Sequence, residues 1–270
     1  MESDVKGKYQ VVRWKKEKWM TGEMMGKEIE TAARMLRRSR KAIALTGAGA
    51  GTESGIPDFR GKNGLWSRFD PFEYGTLGAF RQNPEKVWHM LRELLPFADC
   101  GPNKGHLAMA GLEELGLLRG VITQNIDGLH QKAGSRCVIE FHGNFFTFTC
   151  PKCGTREPLS RVRQMTMPPR CLVCADILKP DVIFFDEQIA PRVLLETESL
   201  VHEADLLLVA GTSCEVAPAS FIPAQVLRQG GVVVEINLAP VLREVAAVSI
   251  AGGFSTTMEK LLLRVAKEPL

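Results

Sequence analysis

Thr46-Gly47-Ala48-Gly49-Ala50-Gly51-Thr52-Glu53-Ser54-Gly55-Ile56-Pro57-Asp58-Phe59-Arg60-Gly61 follows directly on the apolar run Ala42-Ile43-Ala44-Leu45. A short apolar run that hands over to closely spaced glycines is the pattern of a buried strand leading into a phosphate-cradling loop. Glycines let the backbone approach an anion, and exposed N–H groups then bind it. An acid, an aromatic and a guanidinium come straight after: Asp58, Phe59 and Arg60. A phosphate loop with its own reactive side chains points to a nucleotide that is consumed as well as held.

Upstream of this stretch, Ile29, Ala32, Ala33 and Leu36 recur at helical spacing with basic residues opposite. Downstream, a loop rich in Gly, Pro and aromatics gives way to a helix from about Glu85 to Leu95, stopped by Pro96. A helix from His106 to Leu115 is closed by Gly116. Short strands at Val121-Ile122-Thr123 and Val138-Ile139-Glu140-Phe141 end in Gln124-Asn125-Ile126-Asp127 and His142-Gly143-Asn144. Helix Val193 to His202, strand Leu206 to Ala210, turn Gly211-Thr212-Ser213 and a helix to about Arg228 follow. A strand from Val232 to Ile236 ends at Asn237, and a last helix begins near Thr257. Strands this apolar, alternating with helices, are buried on both faces of a parallel sheet. The expected fold is a doubly wound, Rossmann-like α/β domain whose ligand lies at the carboxyl ends of the strands. Every polar cluster named above sits at such an end.

Residues 145–179 interrupt this alternation. Cys150 and Cys153 form one C-x2-C pair, Cys171 and Cys174 a second, with seventeen residues between them. Such spacing points to a structural, four-thiolate zinc site with no open position for water. So small a segment cannot build a core, so the metal supplies much of its folding energy. A redox dithiol pair and a nucleic-acid-binding zinc ribbon are the competing readings. Cys100, Cys137 and Cys214 are scattered, and an odd total fits a reducing compartment better than a disulfide framework.

The chain of 270 residues is 45% apolar and 24% charged, ordinary for a globular protein. It has no apolar run long enough to cross a bilayer, and it begins with a polar segment, so the cytoplasm, or else a nucleus, is the expected location. The formal net charge of +3 is carried by residues 1–20, with six basic groups against three acids. A solvated arm is the favoured reading of that tail; Trp14 and Trp19 keep an anion-binding arm open. No partner nucleic acid is indicated. The expected division is a basic extension over 1–25, an α/β domain over 26–60, 106–144 and 180–270, a flexible loop and helical insertion over 61–105, and the cysteine module over 145–179.

Asp127 alone reads as a helix N-cap and Asn125 as a turn residue. Together with Gln124 and Ile126 they make a strand end able to hydrogen-bond a carboxamide. His142 stands where a general base beside a cleft belongs. Thr212, Ser213, Gly211 and Asn237 offer donors to ribose or phosphate.

With these residues assembled, the chain closely resembles the sirtuins, NAD-dependent protein lysine deacylases. The matching stretches are Gly47-Ala48-Gly49, Gly55-Ile56-Pro57-Asp58-Phe59-Arg60-Gly61, Gln124-Asn125-Ile126-Asp127-Gly128-Leu129-His130, His142-Gly143-Asn144, the four cysteines, Lys179-Pro180-Asp181-Val182, Gly211-Thr212-Ser213 and Ile236-Asn237. They run in order over roughly residues 28 to 255. The resemblance implies NAD as co-substrate, structural zinc, and acylated lysine in proteins or peptides as substrate, with the chain acting as a monomer. It implies that the acyl carbonyl oxygen attacks the ribose carbon bearing nicotinamide, which leaves into a pocket of Ile56, Asn125, Ile126 and Asp127. His142 then serves as base on a ribose hydroxyl, Phe59 covers the reacting carbon, and Arg60 holds the cofactor. Val182, Ile183, Phe184 and Glu187 match a stretch that pairs with the substrate peptide.

The chain departs from the family pattern at several points. Ala50 and Gly51 stand where a branched aliphatic and a serine are usual, and Asp186 replaces a glycine, which is expected to restrict the backbone or discourage acidic peptides. Cys214 and Glu215 replace a more apolar pair. Leu91 and Leu94 occupy the positions where sirtuins that remove acidic acyl groups carry tyrosine and arginine. An apolar lining would leave a buried succinyl carboxylate unpaired, so acetyl or longer apolar acyl groups are expected. Protein ADP-ribosyl transfer, hydride transfer and a non-catalytic nucleotide-sensing module are the alternatives. Hydride transfer is the weaker, because residues 47–52 lack the third glycine of G-x-G-x-x-G.

Overall fold

A computed structural model describes residues 22–61 and 64–267. The N-terminal arm with Trp14 and Trp19 lies outside the described residues. Among the described residues, nine strands make two sheets: β1 (Ala42–Thr46), β2 (Val121–Thr123), β3 (Val138–Glu140), β4 (Gly143–Thr149), β5 (Arg156–Pro158), β6 (Lys179–Val182), β7 (Leu206–Ala210), β8 (Val232–Asn237) and β9 (Val248–Ala251). The larger sheet has the order β3-β2-β1-β7-β8-β9, and all its pairs are parallel.

Why the strands are so apolar is visible in their alternation. Ala42 and Ala44 of β1, with Leu206 and Leu208 of β7, face the helices Gly22–Arg38, Lys104–Glu114 and Phe254–Ala266. Ile43, Leu45, Leu207 and Val209 point the other way, into a core shared with the helices Pro191–Val201 and Ile222–Arg228. A strand buried on both faces has no use for polar alternation. Helix Gly22–Arg38 meets its face of the sheet through Ile29, Ala32, Ala33 and Leu36, all buried.

The chain lays β1, β2 and β3 outward in one direction, then returns to place β7 on the opposite side of β1. The connections after β1 and β7 lead to helices on opposite faces of the sheet, and open α/β sheets bind ligands at the carboxyl edge where the strand order reverses in this way.

The second sheet, β5-β4-β6, is antiparallel and carries the cysteines. Its aromatic core joins Phe145 and Phe148 to Val87, Trp88 and Leu91 of helix Pro84–Leu91, and the indole of Trp88 donates to the Leu178 carbonyl at 2.8 Å. Among the described residues, no helix is long and apolar enough to cross a membrane.

Some expected boundaries move. Pro96 does not stop a helix running to Leu95; the α-helix ends at Leu91, and Pro96 lies inside a 3-10 stretch, Arg92–Asp99. A 3-10 helix lacks the i→i−4 bond that proline would remove. The helix after residue 213 begins only at Ile222, because Cys214 takes a left-handed φ of +51° and residues 214–218 form an irregular turn. The last helix starts three residues early, at Phe254. Strands β4, β5, β6 and β9 were not foreseen.

Candidate active site

A cavity of about 1170 Å³ opens at the carboxyl edge between β1 and β7. It brings together Gly47, Ala48, Gly49, Asp58, Phe59, Arg60, Gln124, Asn125, Ile126, His142, Gly211, Thr212, Ser213 and Asn237 from five separate parts of the chain. Leu91, Leu94, Val182, Ile183, Phe184 and Glu187 line it as well. A smaller cavity beside it is bounded by Ile56, Phe59, Leu94, Asn125, Ile126 and Asp127.

The loop after β1 is locked onto the loop after β7. Gly49 N–H donates to the Gly211 carbonyl at 2.8 Å, and Gly47 N–H to the Ala210 carbonyl at 3.2 Å. Gly211 has a φ of +62°, and a side chain there would overlap the backbone at Ala50, so only glycine serves. The Asn103 side chain secures the loop from behind, donating to the Ala50 carbonyl at 2.9 Å.

The end of β2 is held the same way. Asn125 Nδ2 donates to the Gly47 carbonyl at 3.0 Å, and Gln124 Nε2 to Thr212 Oγ1 at 2.9 Å. Asp127 is not the N-cap of the helix Leu129–Lys132, a place taken by Gly128; from one residue earlier its carboxylate accepts from Leu129 N–H at 3.0 Å and borders the smaller cavity. Burial raises its pKa, only partly offset by that backbone bond and by Lys132.

His142 sits between β3 and β4, half-buried. Its Nδ1 lies 3.2 Å from the Gln124 carbonyl oxygen. A carbonyl only accepts, so Nδ1 carries the proton and Nε2 keeps its lone pair. Burial lowers the pKa of the ring, opposed by the same hydrogen bond. A neutral imidazole with one nitrogen anchored is arranged to take a proton at the other.

Arg60 is the sole Arg or Lys among the described cavity-lining residues. Its guanidinium pairs with Glu215 at 2.6 Å, tying the loop after β1 to the loop after β7 across the cavity mouth. Glu215, a departure by type, thus has a partner by position. An anion in this cavity would be met mainly by backbone N–H groups and hydroxyls. Phe59 lies over the interior with its ring centroid 5.5 Å from that of Trp66.

The stretch after β6 is already engaged within the chain. Phe184 is buried and stacks on Phe80 with centroids 5.7 Å apart. Glu187 accepts from Phe184 N–H at 2.9 Å and pairs with Lys179 at 2.9 Å. Asp186 takes a φ of +64°, the left-handed region a glycine would enter without strain.

The four cysteine sulfurs lie within 4.8 Å of one another. Closest approaches are 3.4 Å between Cys150 and Cys174 and 3.5 Å between Cys153 and Cys171. Zinc–sulfur bonds of about 2.3 Å in a tetrahedron put sulfurs about 3.8 Å apart, so the set fits zinc.

Two features escaped the reading of the sequence. Glu235, inside Val232–Asn237, is fully buried and accepts four hydrogen bonds. A lone carboxylate in an otherwise apolar strand was the available signal. His106 and His130 form a buried pair behind the β1 loop, with centroids 4.8 Å apart.

Comparison with known proteins assigns the class. The Sir2 family pattern matches residues 47–218. A NAD-dependent protein deacylase of Thermococcus kodakarensis is 43% identical over 243 residues, covering 87% of this chain and 94% of that protein. A NAD-dependent protein deacetylase of Caldivirga maquilingensis is 45% identical over 215 residues, covering 77% and 82%. Among solved structures, a Sir2 homologue bound to ADP-ribose superposes with a TM-score of 0.84 at 39% identity, covering 88% of this chain and 96% of that one. A Sir2 homologue–NAD complex gives 0.82 at 40% identity, covering 88% and 94%. The chain belongs to the Sir2 family.

Proposed function

We propose that this chain is an NAD-dependent protein lysine deacylase that moves an apolar acyl group from lysine to ADP-ribose and releases nicotinamide. The observation that carries the reading is the convergence of three groups on one cavity: the glycine turn of β1, the amides of Gln124 and Asn125 after β2, and an imidazole whose Nδ1 is anchored. The relatives named for this activity, and the related structures that hold NAD or ADP-ribose, support it.

In this reading the loops after β1 and β7 hold the pyrophosphate and ribose of NAD, with Asn237 fixing the second loop. Asn125, Ile126 and Asp127 receive the carboxamide of nicotinamide in the smaller cavity. The substrate's acyl oxygen would displace nicotinamide from the ribose carbon; Nε2 of His142 would take a proton from a ribose hydroxyl, whose oxygen then bonds the acyl carbon as the C–N bond breaks, the lysine amine leaves protonated, and one water supplies the oxygen that completes the ester. Phe59 excludes water while the carbon is electron-poor. Zinc on Cys150, Cys153, Cys171 and Cys174 is structural, since four thiolates fill its shell. Val182, Ile183 and the adjoining backbone present the peptide. Leu91 and Leu94 meet the acyl chain; succinyl is disfavoured because its carboxylate would be buried without a partner. Thiols held for a metal favour a reducing compartment, and the cytoplasm is the proposed location.

The test is product analysis with acetyl-, butyryl-, myristoyl- and succinyl-lysine peptides. Nicotinamide and O-acyl-ADP-ribose are expected with the first three and little with the fourth. His142→Ala should lower kcat by about 10²–10⁴-fold. ADP-ribosylated protein without deacylated peptide would establish the transferase alternative instead.

A further inference from the structure

We infer that Glu235 is a positioning residue for cofactor binding, acting through Asn237 on the loop after β7; this rests on the proposed NAD site. Glu235 does not line the cavity. Its carboxylate sits one alternation back along β8, on the same side of the strand as Asn237, and is 0% exposed.

Each carboxylate oxygen receives two donors. Oε1 accepts from Asn237 Nδ2 at 2.9 Å and from Val241 N–H at 2.6 Å. Oε2 accepts from Leu242 N–H at 3.0 Å and from the Ser249 hydroxyl at 3.0 Å. The bond to Nδ2 fixes which way the Asn237 amide faces. Its Oδ1 then accepts from Thr212 N–H, and Nδ2 donates to the Thr212 carbonyl, both at 3.1 Å. Thr212 Oγ1 in turn accepts from Gln124 and from Cys214 N–H. The same carboxylate, through Val241 and Leu242, pins the segment after β8, whose Leu238, Ala239 and Val241 form the adjoining cavity wall.

Removing the carboxylate would leave four buried donors without an acceptor, so Glu235 stabilises this end of the sheet, but stability alone does not require that one of those donors be the amide that holds Thr212. What the carboxylate supplies, and Val or Leu would not, is a defined orientation of Asn237 and a defined path for residues 238–242.

Glu235→Gln tests this, because its amide nitrogen confronts an N–H donor on one side of the site. In the zinc-loaded protein, KM and Kd for NAD should rise about tenfold, with kcat and KM for the acetyl-lysine peptide within twofold of wild type. Ser249→Ala removes one donor without touching Asn237; it should lower the melting temperature but leave KM for NAD within twofold. Should the Gln variant not fold, Glu235→Met, which repels no N–H, carries the same expectation. Glu235 variants that bind NAD as wild type does, or a Ser249→Ala effect on KM as large as theirs, would overturn the inference. A wild-type protein that binds no NAD in calorimetry would instead overturn the reading of the site itself.

Discussion

All five side chains of β1 and all five of β7 are buried, whereas β5 of the smaller sheet runs exposed, buried, exposed. The larger sheet lies between two apolar layers and needs nothing else to fix its register. The smaller one has a single aromatic core against Trp88 and its neighbours, and beyond that core it ends in two cysteine turns with Leu172 and Val173 exposed at the tip. One region is held by burial, the other by burial on one side and metal thiolates at the far end. His142 and the stretch after β6 stand where the two meet: Ile183 N–H donates to the His142 carbonyl at 2.9 Å. Chemistry in the larger domain therefore depends on geometry imported from the smaller.

The largest break in that comparison is removal of the metal. Structural zinc contributes roughly 10–16 kcal/mol to the folding of small zinc modules. Chelation, or Cys171→Ser, should abolish turnover while most helical circular dichroism survives, because the helices against the parallel sheet do not touch the cysteines. Hydrogen exchange should accelerate at β4, β5 and β6 and remain slow at β1 and β7. Uniform acceleration would show that the two regions fold as one unit.

A smaller effect should appear in the larger domain, at the only polar cluster buried behind the β1 loop among the described residues that contains two imidazoles. His130 Nε2 lies 2.9 Å from Thr46 Oγ1, and His106 Nδ1 accepts from Asn103 N–H at 3.3 Å. Burial lowers the pKa of His106 to about 4 and, with His106 beside it, that of His130 to about 3. An unfolded histidine protonates near about 6.5. The unfolded chain thus binds more protons below that pH, so stability is full above it and falls as pH drops toward 4 and then 3. The melting temperature should decline between pH 7 and pH 4.5 at constant zinc content, by the equivalent of a few kcal/mol. Ring protons of His106 and His130 that titrate near pH 6.5 would contradict this account.

The comparison also explains what could be read in advance. Apolar runs such as Ala42-Ile43-Ala44-Leu45 and Leu206-Leu207-Leu208-Val209 admit one reading, and the strand-end residues they position come together as that reading requires. β4 and β6 carry mixed polarity, since only one face meets a core, so their pattern resembled loop. The cysteine spacing survived because coordination is a local chemical rule. Glu235 was missed because its function lies in partners from residues 237, 241, 242 and 249, which no local pattern brings together. Glu215 was visible only as a departure; its pairing with Arg60 needed the fold.

The smallest effect lies within the smaller region, where its two cysteine turns are built alike but not from the same residue. In the first, Cys150 N–H donates to the Thr155 carbonyl at 2.8 Å and Gly154 N–H to the Cys150 carbonyl at 2.9 Å. In the second, Cys171 N–H donates to the Asp176 carbonyl at 2.7 Å and Ala175 N–H to the Cys171 carbonyl at 2.9 Å. Gly154 has a φ of +76° and Ala175, at the matching position, +62°. The left-handed conformation costs a residue with a Cβ about 1–2 kcal/mol, part of which glycine returns through its freer unfolded chain. Ala175→Gly should therefore strengthen the second turn by about 0.5–1 kcal/mol, and Gly154→Ala should weaken the first by about 1–2 kcal/mol. Zinc release to a competing chelator reads both, slower in the former variant and faster in the latter, with kcat for deacylation unchanged while the metal remains bound. Equal release rates in all three proteins would mean that metal coordination, and not backbone strain at these turns, sets the strength of the module.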